Sequence, residues 1–264
     1  MFSIGLFINE VNDLERLKLL HDCQVQLGFY RIYMYRDFGV SAKEICKDNN
    51  ITMESVHLPT KDMNTDLVHE IMCLFNVEKA TIHAHDNVLE MLMGELSWKV
   101  CLENFPYKSN RKYRTPIDII YEVGKNKKLG MTLDICHAES FWMEPIILSS
   151  LLKYTDILHL SNKLWDKRPK DVEQQLYQHN RTGDTVGMHP LQIIKIAEEE
   201  AKDKDAGFHT PIHGYKGILN IDKILSIILK QFNWKGETVI EYMPKYFNKA
   251  VSDYYKLKKT WEKI

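Results

Sequence analysis

Leu129-Gly130-Met131-Thr132-Leu133-Asp134-Ile135-Cys136-His137-Ala138 is the stretch that decides the fold. Leu129 to Leu133 is a short apolar run of strand length, the form taken by a strand buried on both faces. Asp134 closes it, and His137 follows three residues later. A carboxylate at the end of a buried strand has no packing role, and burying it is costly unless a cation or a hydrogen-bond network compensates.

The same form recurs on either side. Downstream, Ile157 to Leu160 carries His159, and Thr238 to Ile240 runs into Glu241. Upstream, Trp98 to Leu102 runs into Glu103, Lys79 to His83 ends in His83 with His85 just beyond, and Ile51 to His57 ends in His57-Leu58-Pro59. Phe2 to Ile8 reads as the first strand and Tyr30 to Tyr35 as the second.

Helical stretches separate these runs. Asn12 is expected to cap a helix through Leu17, Leu20 and Val25 that Gly28 closes. Ser41 caps a short helix. Thr65-Asp66 opens one that runs through Phe75, Val88 to Leu96 is another, and Thr115-Pro116 starts the next with proline at its first position. Glu144 to Tyr154, Ile221 to Gln231 and Val251 to Trp261 complete the set.

Eight strands alternating with helices predict an α/β chain folded as a single (β/α)8 TIM barrel over residues 1–264. No G-x-G-x-x-G follows the first strand, which argues against an open dinucleotide-binding sheet. The polar stretch 164–217 lies between strand seven and its helix and contains its own helical pattern, Pro190 to Asp203. It reads as an insertion-like excursion over the active-site face.

The chain has 264 residues, 44% hydrophobic and 27% charged, as a globular domain requires. Lys and Arg total 35 against 36 Asp and Glu. That balance argues against tight phosphate-driven binding, which needs a basic field. The five cysteines are scattered without a C-x-x-C pair, the usage of a reduced, cytoplasmic protein. The N-terminal apolar run is too short for a signal sequence or a membrane span, so no membrane association is expected. A homo-oligomer is left open.

In a barrel the C-terminal ends of the strands converge on one face, where barrel active sites lie. Glu103, Asp134, His159 and Glu241 are therefore expected to hold a divalent cation such as Mn, Zn, Co or Mg. His57, His83, His137 and His209 form an outer ring available as further metal ligands or as substrate contacts. His21, His69, His179 and His189 fall in helical or loop contexts and read as structural.

Val56-His57-Leu58-Pro59, Cys101-Leu102-Glu103-Asn104, Thr132 to Ala138, Leu158-His159-Leu160-Ser161-Asn162 and Ile240-Glu241, in that order, resemble the xylose-isomerase-like barrel superfamily. That superfamily includes sugar isomerases, sugar epimerases and the endonuclease IV type of abasic-site nuclease (AP endonuclease family 2). The resemblance implies a metal-dependent enzyme with the shared ion on Glu103, Asp134, His159 and Glu241.

Two chemistries follow from it. A sugar or sugar-phosphate isomerase or epimerase would use Glu103 and Glu241 as catalytic acid and base, moving a proton through a metal-stabilised enediolate. His137 would bind a substrate hydroxyl, and Phe105 and Trp142 would wall the sugar. An abasic-site DNA nuclease would spread a multi-zinc cluster over the same residues, with His57, His83 and Glu103 on one ion and His137 and His209 on another.

The nuclease pattern has an Asp two residues before the histidine matched by His209, where this chain has Gly207. It has His-Leu-Asn-Asp where this chain has His159-Leu160-Ser161-Asn162, and the loop Pro59-Thr60-Lys61-Asp62 lacks an aromatic wedge. These departures favour the sugar enzyme, with a small-molecule partner; DNA is the partner only under the alternative. The basic run Lys108 to Arg114, together with Lys163, Lys167 and Arg168, offers a phosphate contact or a solvated loop.

Overall fold

A computed structural model describes residues 1–59, 63–85, 98–104, 113, 115–138, 140–163, 209–213 and 217–261. In chain order the elements are β1 (Phe2–Phe7), α1 (Val11–Lys18), β2 (Gln24–Gly28), α2 (Ile32–Asp48), β3 (Thr52–His57), α3 (Thr65–Phe75), β4 (Lys79–His83) and β5 (Lys99–Glu103). They continue as α4 (Pro116–Val123), β6 (Leu129–Asp134), α5 (Pro145–Leu152), β7 (Thr155–Leu160), α6 (Ile221–Ser226), β8 (Glu237–Glu241) and α7 (Phe247–Trp261). A π-helical turn, Ile227–Gln231, extends α6.

The eight strands pair in parallel, in sequence order, and β8 closes on β1 through Phe2↔Thr238 to Gly5↔Glu241. The expected closed α/β barrel is therefore present. Among the described residues no helix is long and apolar enough to cross a membrane.

Local chemistry explains the elements that were legible. Asn64 caps α3, its side chain accepting the Leu67 N–H at 2.9 Å. Thr115 and Asp118 form a capping box on α4 around Pro116. Leu129 to Asp134 is buried at every position, as a strand covered on both faces must be.

The second barrel unit differs from expectation. The strand is Gln24–Gly28, and Tyr30 to Tyr35 belongs to the loop and first turn of the seventeen-residue helix α2. The buried residues of α2 are Tyr35, Gly39, Ala42 and Cys46, which recur at helical spacing. Ser41 lies inside this helix and caps nothing. Helix α1 starts from a capping box on Glu10 rather than from Asn12 and ends at Lys18. Gly28 is therefore a strand-end residue and not a helix C-cap: a Cβ there would sit 2.5 Å from the Phe7 ring.

Polar side chains fill the barrel interior below the strand ends. Gln26 donates to Ser55 (2.8 Å), Ser55 donates to Glu237 (3.0 Å), and Lys79 pairs with Glu237 at 3.1 Å. The expected helices at Val88 to Leu96 and Pro190 to Asp203 lie outside the described residues. So do Phe105, Gly207, Lys167, Arg168 and all of the basic run except Tyr113.

Candidate metal centre

Strand pairing brings the donors together. His83 is opposite Glu103 on β4 and β5, Asp134 is opposite His159 on β6 and β7, and Gly28 is opposite His57 on β2 and β3. Glu103 sits at the middle of the resulting cluster. Its Oε2 lies 2.8 Å from His57 Nε2 and 3.4 Å from His83 Nε2. Its Oε1 lies 3.3 Å from His137 Nδ1 and 3.6 Å from His159 Nδ1. His159 Nδ1 also lies 3.9 Å from Asp134 Oδ2 and 2.5 Å from Glu241 Oε2.

Seven of the eight expected residues, His57, His83, Glu103, Asp134, His137, His159 and Glu241, thus meet at one centre. His83 rather than His85 turns towards Glu103. His209 joins from the short described stretch 209–213, with Nε2 3.0 Å from His137 Nε2 and Nδ1 4.0 Å from Glu241 Oε1. Among the described residues, three overlapping groups could hold an ion: His57, His83 and Glu103; Glu103, Asp134 and His159; and Asp134, Cys136, His137 and His209. Sequence reasoning had passed over Cys136.

Backbone groups fix the ligand orientations. His57 Nδ1 donates to the Leu58 carbonyl (3.1 Å), which leaves Nε2 turned to the cluster. His137 Nδ1 donates to the Asn104 carbonyl (3.0 Å). The Asn104 amide and the Asp134 backbone exchange two hydrogen bonds, at 2.8 and 2.9 Å. Asp134 Oδ1 accepts the Cys136 and His137 N–H groups at 2.7 and 3.1 Å.

Among the described residues, the buried atoms without a hydrogen-bond partner include Glu103 Oε1, Asp134 Oδ2, both ring nitrogens of His159, and Glu241 Oε2. His159 Nδ1 and Glu241 Oε2 meet at 2.5 Å as a buried ion pair. Buried polar atoms without partners are expensive. Their clustering at one point is the donor arrangement that a divalent cation satisfies, so these residues fit such an ion.

Electrostatics follow from burial and mutual charge. Burial opposes the charge on Glu103, but the His83 and His159 imidazoles outweigh it and hold its carboxyl well below the usual range. Burial likewise opposes charge on Glu241, and His159 and His209 bring it down to about 2. His137 is disfavoured as a cation by burial, yet Asp134 beside it raises it to about 9. His159 is raised well above its ordinary value because Glu241 and Glu103 outweigh its burial. His83 is pushed by burial down to about 3.

A cavity of about 370 Å³ opens beside Glu241 and His209, between the ends of β1 and β8, and Phe7, Tyr30, Tyr242, Met243 and Phe247 line it. Phe7 stacks on Tyr30 with ring centroids 4.4 Å apart. These aromatics were not among the expected walls. Trp142 packs against the core beside Phe141 instead. Lys163 is fully buried with its ammonium on the Ala138 carbonyl, so it meets no phosphate in solvent.

No family model matches the chain and no curated protein matches it. Solved structures do. A D-tagatose 3-epimerase-like protein is 14% identical with a TM-score of 0.62, covering 99% of this chain and 98% of that one. The probable 3-DHS dehydratase AsbF of Bacillus anthracis, involved in petrobactin synthesis, is 13% identical with a TM-score of 0.59, covering 97% and 98%. The IOLI protein, solved with a bound zinc atom, is 14% identical with a TM-score of 0.58, covering 98% and 96%. At these identities the likeness is one of fold: the chain has the xylose-isomerase-like TIM-barrel fold.

Proposed function

We propose that the chain is a divalent-metal-dependent isomerase or epimerase of a sugar or sugar phosphate. The observation that carries the reading is the set of buried, partner-lacking oxygens and nitrogens on Glu103, Asp134, His159 and Glu241 beside a cavity of about 370 Å³. That volume is at the lower end for small-molecule sites and suits a single sugar ring. The fold shared with an epimerase-like protein and a zinc-bound protein supports the choice.

Glu103, Asp134, His159 and Glu241 would hold the ion. When bound, it would supply a positive charge that draws on two neighbouring sugar oxygens and stabilises an enediolate. Glu241, at the cavity wall and held ionised by its low pKa of about 2, takes the proton from the carbon next to the carbonyl and later releases it to solvent. Glu103, also ionised at rest, first takes up a proton from solvent and then returns it to the carbon. His137 orients a substrate hydroxyl, and the Phe7–Tyr30 stack presents an apolar face to the ring. Residues 1–264 act as one barrel domain in this reading.

The test is incubation with a panel of ketoses and ketose phosphates in D2O, with Mn, Co or Zn added. The expected result is deuterium at one carbon of a converted sugar, abolished by Glu103→Gln and by Glu241→Gln. Absence of exchange with every sugar would defeat the reading.

A second reading, a multi-zinc abasic-site nuclease, draws on the additional group His57, His83 and Glu103. Robust cutting of an abasic-site duplex, lost in Glu241→Gln, would replace the first reading with this one.

A further inference from the structure

We infer that Asp253, on the outer helix α7, is a positioning residue for the cavity: through the Tyr242 hydroxyl it clasps residues 209–213 to the end of β8 and so sets the wall on which Glu241 and His209 stand. No ion enters this role, and only its effect on turnover rests on the proposed sugar reaction.

The helix period places Asp253 behind the cavity. Phe247 and Ala250 of α7 line it, and Asp253 follows at the same three-residue spacing on that face of the helix. Asp253 is fully buried, which a carboxylate tolerates only when it is paired and hydrogen-bonded. Its Oδ2 accepts the Tyr242 hydroxyl at 2.9 Å. Its Oδ1 lies 3.2 Å from His213 Nδ1 and accepts Lys249 Nζ at 3.0 Å. Tyr242 and His213 come from outside α7, and Tyr242 itself lines the cavity.

The Tyr242 hydroxyl joins three parts of the chain. It donates to Asp253 and accepts the Ile212 N–H at 2.9 Å, so one phenol ties α7, the end of β8 and the 209–213 stretch together. That stretch has further ties. The His209 carbonyl accepts the Met243 N–H at 3.1 Å, and Thr210 exchanges two backbone bonds with Asn162 at 2.8 and 2.9 Å. His209 depends on them, because its φ is 52°, in the left-handed region. A non-glycine residue keeps such a conformation only where its surroundings over-determine it. Tyr242 directly follows Glu241, so a phenol that swings loose frees both the wall and the turn beside that carboxylate.

The charge on Asp253 suits it to this role. A hydrogen bond to a carboxylate is shorter and stronger than one between neutral groups, so it holds the phenol in one place. Burial, with Asp253 beside it, pushes the Tyr242 hydroxyl far up, so it keeps its proton and stays a donor. Lys249 reaches the same carboxylate from four residues earlier on the same helix, is partly exposed, and does not line the cavity. Its loss therefore weakens the carboxylate's surroundings without releasing the wall, which separates positioning from stability.

The experiment is hydrogen exchange of the whole chain, read by mass spectrometry over 209–213, together with turnover per folded chain. Tyr242→Phe keeps the ring and removes the hydroxyl. It is expected to speed exchange over 209–213 by about tenfold, as the loss of one hydrogen bond does, and to leave the barrel strands protected as in wild type. Asp253→Ala gives the same local loss, and so reports on the clasp even if the phenylalanine variant folds poorly. Lys249→Met leaves exchange over 209–213 as in wild type. On a sugar that the wild-type chain converts, Tyr242→Phe lowers kcat by about tenfold or more with KM nearly unchanged, and Lys249→Met changes neither. If no sugar is converted, the proposed reaction falls and the exchange result alone decides this role. Protection over 209–213 that survives both Tyr242→Phe and Asp253→Ala, a loss spread evenly over the barrel, or a kcat unmoved by Tyr242→Phe would overturn the inference.

Discussion

Replacing the two shared carboxylates, Glu103→Gln with Asp134→Asn, removes the charge that all three donor groups depend on while keeping side-chain shape. The size of the effect follows from where the ligands sit. Glu103, Asp134, His159 and Glu241 lie at the ends of four different strands, β5 to β8, and meet only when the barrel closes. The unfolded chain cannot assemble the site, so binding energy becomes folding energy. At a free-ion concentration one hundred times Kd, that is about 2.7 kcal/mol. For a chain near this length, it raises Tm by roughly 5–10 °C. The assay is thermal melting of chelated protein with and without Mn or Zn, the concentration being set from a calorimetric Kd. The wild-type chain is expected to gain that shift and the double variant to lose most of it. A wild-type chain unmoved by every divalent ion, or a double variant that gains as much as wild type, would refute the reasoning.

The raised imidazoles make binding pH-dependent. His137 is raised to about 9 and His159 well above its ordinary value, so both carry protons at neutral pH that a bound ion must displace. Cation affinity is therefore expected to rise with pH towards 9, by up to about tenfold per unit for each proton released; isothermal titration from pH 6 to 9 checks it, and a flat profile contradicts it. In the metal-free chain the sign reverses. The His137–Asp134 pair stabilises fully below the unfolded value of about 6.5 and loses that contribution as pH rises through about 9, so denaturant midpoints of chelated protein should fall over that window. Asn104→Ala unclamps the Asp134 backbone and leaves buried groups unpaired. It should cost about 1–3 kcal/mol of stability and about 10–100-fold in ion affinity, measured by denaturant melts and calorimetry. Gly28→Ala places a methyl 2.5 Å from the Phe7 ring and should destabilise by about 1–3 kcal/mol, with the Phe7–Tyr30 stack displaced in a crystal structure.

The strand ends were legible because an acid or histidine that stops an apolar run has no packing reason to be there. Asp134, Glu103 and Glu241 each stand at such a stop, and the barrel places all three as that reading required. The second unit was not legible. Phe29 to Tyr35 is aromatic and β-branched, which favours a strand locally, yet Tyr35, Gly39, Ala42 and Cys46 bury one helical face, and that longer-range period wins. Neither Cys136 nor the Phe7–Tyr30 wall could be read from spacing. The thiol meets His209 from 73 residues away, and Phe7 borders Glu241 only because β8 closes on β1.

The most direct test of the metal centre is a crystal of the protein soaked in Mn(II) and measured at the manganese absorption edge. One anomalous peak is expected within bonding reach of Glu103, Asp134, His159 and Glu241, at about 2.0–2.2 Å from the donors, as for small divalent ions. A crystal with no peak at that position, or with its manganese bound elsewhere on the chain, would contradict it.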